Sequence, residues 1–158
     1  ELYWYPTKVQ AQADSNGEYP GLYNFQGAYT LGFFAGITVE VDYVTIDLNG
    51  HTISQDPIFY FQQRHFILIS IATAPFMPGQ GTANWGAEIF NGNHVTIKNG
   101  ELGLTAHHGI HGLNVEDLTI TNIRAYDYDV AGIQCNGCNN VLISDCTVGP
   151  QNKKIPVL

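Results

Sequence analysis

Apolar and polar positions alternate through the second half of the chain: Val95 and Ile97, Leu118 and Ile120, and Val141 and Ile143 each stand two apart. A period of two puts one face of a short strand in a core and the other in water. No segment carries a sustained i, i+3, i+4, i+7 apolar stripe with capping signals, and the β-branched and aromatic content favours strand, so helix is expected to be scarce. The strands recur. Asn93–Asn99 aligns with Glu116–Asn122 and Asn139–Asp145, so that Val95, Leu118 and Val141 follow one another at a constant interval of 23 in the numbering. The same interval relates Gly86, Gly109 and Gly132, and Leu102, Ala125 and Val148. Upstream, Val44, Ile46 and Leu48 precede Ile67, Ile69 and Ile71 by 23, whereas Ile67 to Val95 is 28; the five extra positions are expected as a loop around Pro75–Gly81.

A strand repeat of this length, punctuated by Gly and Asn, implies a solenoid in which each coil buries its inward face by stacking on its neighbours. A leucine-rich repeat would place its Asn five residues beyond the first strand leucine, with a helical segment after it. Here Asn99 and Asn122 fall four beyond Val95 and Leu118, on the inward parity, with Asp145 in the third place. Inward asparagines at every coil are expected to stack as a ladder of amide hydrogen bonds, which favours a parallel β-helix.

Val44-Thr45-Ile46-Asp47-Leu48-Asn49-Gly50-His51-Thr52-Ile53, followed by the Asn-x-Val-Thr-Ile-x-Asn units, resembles the right-handed parallel β-helix proteins of the pectin-lyase-like superfamily. The resemblance covers roughly residues 37 to 149 and implies an all-β fold, a right-handed parallel β-helix of about 23 residues per coil, a handedness that parallel crossovers also prefer. Residues 1–36 then read as an N-terminal cap on the first coil, and 37–158 as coils that continue beyond Leu158, because nothing after Val148 looks able to cover the last strand edge. The superfamily spans lyases, hydrolases, virion proteins and adhesins, so function has to come from a site.

Composition narrows the field. With 14 acidic against 6 basic residues the net charge is −8, which leaves little to bind a phosphate backbone, so nucleic acid is not an expected partner. Only 13% of residues are charged, against about 25% in typical globular chains, which points to an extracellular, cell-surface or virion location. No apolar run reaches the length of a membrane span. Three cysteines, Cys135, Cys138 and Cys146, do not make a disulfide framework; Cys135 and Cys146 read as small hydrophobes, with a local Cys135–Cys138 disulfide as the alternative.

The outward columns are where chemistry is expected. One reads Glu88, His111, Gln134, flanked by His107 and His108 on one coil and by Asp127 and Asp129 on the next. If Asp127 and Asp129 share an extended segment they stand about 6.6 Å apart, near the lower limit for an inverting glycosidase pair, with histidine to tune the proton inventory. On this reading Asp127, Asp129, His107, His108 and His111 are catalytic, and Glu88, Gln134, Tyr126 and Tyr128 bind substrate. The resemblance to polygalacturonases departs at their Asn-Thr-Asp-Gly motif: with its Gly on Gly132, Ala131 stands where the catalytic Asp belongs. A pectate lyase would use calcium held by Asp127, Asp129 and Glu88, but its candidate base, Arg124, faces Glu101 one coil back and reads as half of a surface ion pair. No metal is assigned to His107-His108-x-x-His111, because adjacent strand residues point apart, and no cofactor is expected apart from calcium if the chain is a lyase. Most of the aromatics of the first 36 residues are expected to pack the cap. The expected function is a non-catalytic structural or glycan-binding β-helix of a surface assembly, with self-association at the open C-terminal coil; the alternative is a lyase or glycosidase acting on an acidic polysaccharide.

Overall fold

The computed structural model describes residues 2–4, 34–57, 60, 66–72 and 91–149, with residues 2–4 and 34 as backbone only. The chain is all-β over these residues. Its strands are β1 (Leu2–Trp4), β2 (Phe34–Thr38), β3 (Thr45–Asp47), β4 (Thr52–Gln55), β5 (Phe66–Ile71), β6 (Val95–Leu102), β7 (His108–Leu113), β8 (Glu116–Ala125), β9 (Ala131–Asn136), β10 (Asn139–Ser144) and β11 (Thr147–Val148). They form two sheets, and every strand pairing is parallel. The larger sheet runs β1-β4-β6-β8-β10, with β3 also on β6 and β11 on β8; the smaller runs β2-β5-β7-β9. From β4 to β9 the chain switches sheets at every strand.

The repeat in the sequence is the register of the later strands: Val95, Leu118 and Val141 pair in succession, as do His108 and Ala131. The inward alternation holds too, since Val95, Ile97, Leu118 and Ile120 are fully buried in one apolar cluster with Leu68, Ile69, Ile71 and Ile110. Removing a side chain of that size from water is worth about 1.5–3 kcal/mol.

The upstream alignment is corrected. Ile67, Ile69 and Ile71 do not continue the column of Val44, Ile46 and Leu48, because β5 belongs to the smaller sheet, between β2 and β7. The partner of β3 is β6, with Thr45 on Thr96, a spacing of 51 rather than 23. This interval therefore exceeds the repeat by more than a second repeat length, not by five; Pro75–Gly81 lies outside the described residues. Two more residues enter between β3 and β4, where the register against β6 falls from 51 at Asp47–Lys98 to 49 at Thr52–Glu101. Asn49 (φ 47°) and Gly50 (φ 79°) absorb them in left-handed conformations. The segment expected as an N-terminal cap lies largely outside the described residues, and β2 runs across its expected boundary at residue 36.

Left-handed residues mark the corners. Tyr43, His94, Asp117 and Asn140 form one such column and Asn99, Asn122 and Asp145 another, all with φ between 51° and 62°. Asn and Asp tolerate this region better than other side-chain-bearing residues because their short polar groups bond locally. The first column is also tied laterally: Tyr43 stacks on His94 at 4.5 Å, and His94 Nδ1 meets Asp117 Oδ2 at 2.8 Å.

Candidate functional site: a polar groove and a buried histidine cluster

The asparagine ladder exists, but outside the core. Asn122 Nδ2 donates to Asn99 Oδ1 at 3.1 Å, and Asn99 Nδ2 donates to Asp47 Oδ1 at 3.1 Å. Asn99 is half-buried, and Asn122 and Asp145 are exposed. Strand parity predicts an inward side chain only while the backbone stays extended; a left-handed residue breaks the alternation and turns its side chain out at the corner. The ladder ends on Asp47, whose carboxyl is held below the usual carboxylate range by the Asn49 amide and then by Asn99.

Beside the ladder runs a second column, Glu101, Arg124 and Thr147, in register across β6, β8 and β11. Arg124 Nη1 meets Glu101 Oε1 at 3.3 Å, the surface ion pair expected from the sequence, and the guanidinium lies 5.1 Å from the Tyr126 ring. Tyr126 Oη donates to Glu101 Oε2 at 3.3 Å. Burial, followed by the Glu101 charge, raises the Tyr126 hydroxyl's pKa above that of ordinary tyrosine. The two columns line a groove of about 300 Å³, together with Gly50, Gly100 and Ile123. Amides, carboxylates and a guanidinium give it both donors and acceptors.

The histidines lie elsewhere, on the smaller sheet. His108 is 3% exposed and His111 1%. The residue that precedes His111 in its column is Ser70, with Gln134 after it; Glu88 lies outside the described residues. The His107 and His108 rings meet edge-on with centroids 4.0 Å apart, and their Nδ1 atoms share a hydrogen bond. Strand alternation does not separate them, because His107 precedes β7. Asn136 Nδ2 donates to His111 Nε2 at 3.2 Å, which leaves the proton on Nδ1. Among the described residues, the buried His108 Nε2, His111 Nδ1 and Gln134 Oε1 have no hydrogen-bond partner. Burial lowers the pKa of His108 to about 4, aided by His111, and that of His111 to about 4, aided by His107. Gln134 pulls His108 weakly the other way without completing a hydrogen bond to it. Both rings are neutral at pH 7.

The segment that carries Asp127 and Asp129 differs from the extended one expected. Asp127 has φ 52°, so the segment through Asp129 is not extended and the separation expected of an extended pair does not apply. The Asp127 carbonyl accepts from Thr105 N, and the exposed Asp129 accepts from the buried Tyr60 Oη at 2.5 Å. Of the expected substrate-binding residues, Gln134 Nε2 donates to Asn136 Oδ1, Tyr128 bridges Thr105, and the buried Tyr126 reaches the groove only through its hydrogen bond to Glu101. The expected residues are thus divided: Tyr126 follows β8 of the larger sheet and meets Glu101, whereas His108, His111 and Gln134 lie on the smaller sheet. Tyr60, Thr147 and Gly50 escaped the sequence reading. The columns 99-122-145 and 101-124-147 held the signal for the groove; nothing periodic pointed to Tyr60.

No family model, curated protein or solved structure matches this chain. Among the described residues no group of three or more His, Cys, Asp or Glu side chains is arranged to hold a metal ion, and no helix is long and apolar enough to cross a membrane.

Proposed function

We propose that this chain is a right-handed parallel β-helix module, similar in architecture to the pectin-lyase-like superfamily, that binds glycan without cleaving it. The observation that carries this reading is the open polar groove of about 300 Å³ along the Asn99–Asn122–Asp145 and Glu101–Arg124–Thr147 columns. Its volume reaches the lower end of ordinary ligand sites, and its lining suits sugar hydroxyls, which both donate and accept. Support for the coil comes from two all-parallel sheets between which the chain alternates, and from the regular register of the later strands. Support for a non-catalytic role is that His108 and His111 are closed off from a polymer. The reading carries with it an extracellular, cell-surface or virion location and coil stacking at the β10 edge.

A second reading, a lyase or glycosidase acting on an acidic polysaccharide, draws on the 2.5 Å hydrogen bond from Tyr60 to Asp129, a carboxylate open to solvent. One experiment separates the two. The chain is titrated against neutral and acidic oligosaccharides by calorimetry, and the same mixtures are scored for new reducing or unsaturated ends with and without calcium. Binding that Asn122→Ala and Arg124→Ala each weaken at least fivefold, with no new ends, is the expected result. Cleavage abolished by Asp129→Ala would install the second reading.

A further inference from the structure

The corner between β9 and β10 holds a pair of cysteines that the groove does not use. Cys135 is the penultimate residue of β9, and Cys138 immediately precedes β10. Between them Gly137 turns the chain at φ 66°, a conformation that glycine adopts without a Cβ clash. The turn brings both side chains to one place: Gly112 is the register partner of Cys135, and Cys138 Sγ would stand 3.2 Å from a Cβ added at Gly112. Both are half-buried and pack on the same apolar cluster. They also act on each other. Burial, and after it the Cys138 thiol, pushes Cys135 up to about 12. Cys138 Sγ donates to the Asn136 carbonyl at 3.7 Å, and Cys146 Sγ donates to the Ser144 carbonyl at 3.1 Å and the Ile120 carbonyl at 3.6 Å. All three are free thiols.

We propose that Cys135 and Cys138 are a dithiol–disulfide couple that staples the β9–β10 corner when the chain meets a low-molecular-weight disulfide. Cys138 attacks as the thiolate, since the thiolate is the nucleophile. A sulfur–sulfur bond forms from Cys138 to one half of the oxidant, and the other half leaves as a thiolate. Cys135 then gives its proton to solvent and attacks Cys138 Sγ as the thiolate. The mixed disulfide breaks, the second half of the oxidant leaves, and the Cys135–Cys138 bond is made. Two thiols are oxidised by two electrons and one disulfide is reduced to two thiols. The bond would close a loop beside β10, whose apolar residues are exposed. This inference does not depend on glycan binding.

The test is to incubate the reduced chain with excess oxidised glutathione at mildly alkaline pH, quench with acid, and map the cysteines by mass spectrometry of a protease digest. The expected product has a peptide linked through Cys135 and Cys138, lighter by two hydrogens, with Cys146 outside the bridge. In Cys135→Ser the glutathione adduct should persist on Cys138, because the resolving thiol is gone. A bridge that includes Cys146, stable separate adducts on Cys135 and Cys138, or three unmodified thiols in the wild-type chain would each overturn the proposal. The wild-type map decides the matter even if a variant does not fold.

Discussion

Strands β8 and β10 lie side by side in one sheet with matching sequences, yet they live in different environments. Leu118 and Ile120 on β8 are 0% exposed, whereas their register partners Val141 and Ile143 on β10 are 39% and 48% exposed. Leu142 and Val148 are exposed as well. The alternation is the same in both strands. What differs is that β8 has β6 on one side and β10 on the other, while among the described residues β10 pairs with β8 alone. In a stack of parallel strands, burial is a property of position in the stack before it is a property of the residue.

Truncation should expose that inequality most clearly. Leu118→Ala removes side-chain atoms from a closed cluster and is expected to cost about 2–5 kcal/mol, whereas Val141→Ala should cost below about 1 kcal/mol, since little cavity is left at a solvated edge. Equilibrium urea unfolding of both variants measures the difference. Equal losses would mean that the β10 face is covered in solution.

Acid should act next most strongly, through the smaller sheet. His108 and His111 titrate near 4 in the folded chain against 6.5 when unfolded, so between these values the unfolded chain binds more protons. Stability from this source is complete above about pH 6.5 and falls as pH drops toward 4, by about 3 kcal/mol for the first ring to charge. Unfolding midpoints across that range in the wild type and in a His108→Gln/His111→Gln variant check this, because the variant should lose much of the acid slope. An unchanged slope would assign acid sensitivity to the carboxylates instead.

The smallest effect belongs to the outer face. A double-mutant cycle on Glu101→Gln and Arg124→Gln should give a coupling of about 0.2–1 kcal/mol in low salt, shrinking at higher ionic strength. A larger, salt-independent value would mean that the Tyr126 contacts shield the pair from solvent.

Much of the later fold was legible because it is periodic. Val95, Leu118 and Val141, recurring at one interval, state both the strands and their register, and the Glu101–Arg124 pair follows from the same spacing. Asn99, Asn122 and Asp145 were found as a column but placed on the wrong side, since a period of two says nothing about a residue whose backbone turns left-handed. The histidines were misread for a related reason: the column neighbour that precedes His111 is Ser70, on a strand that the repeat interval does not reach.

From its own sequence, then, this protein's strand class, its repeat and its inward apolar faces could be derived, because these rest on local alternation and short-range spacing. The tertiary structure alone decided that β3 stacks on β6 with Thr45 against Thr96, that the asparagine ladder faces a groove, and that two histidines are sealed in. Long closures leave no periodic mark on a sequence, because their entropy cost rises only slowly with length, and the direction of a corner side chain is settled by the backbone conformation that packing selects.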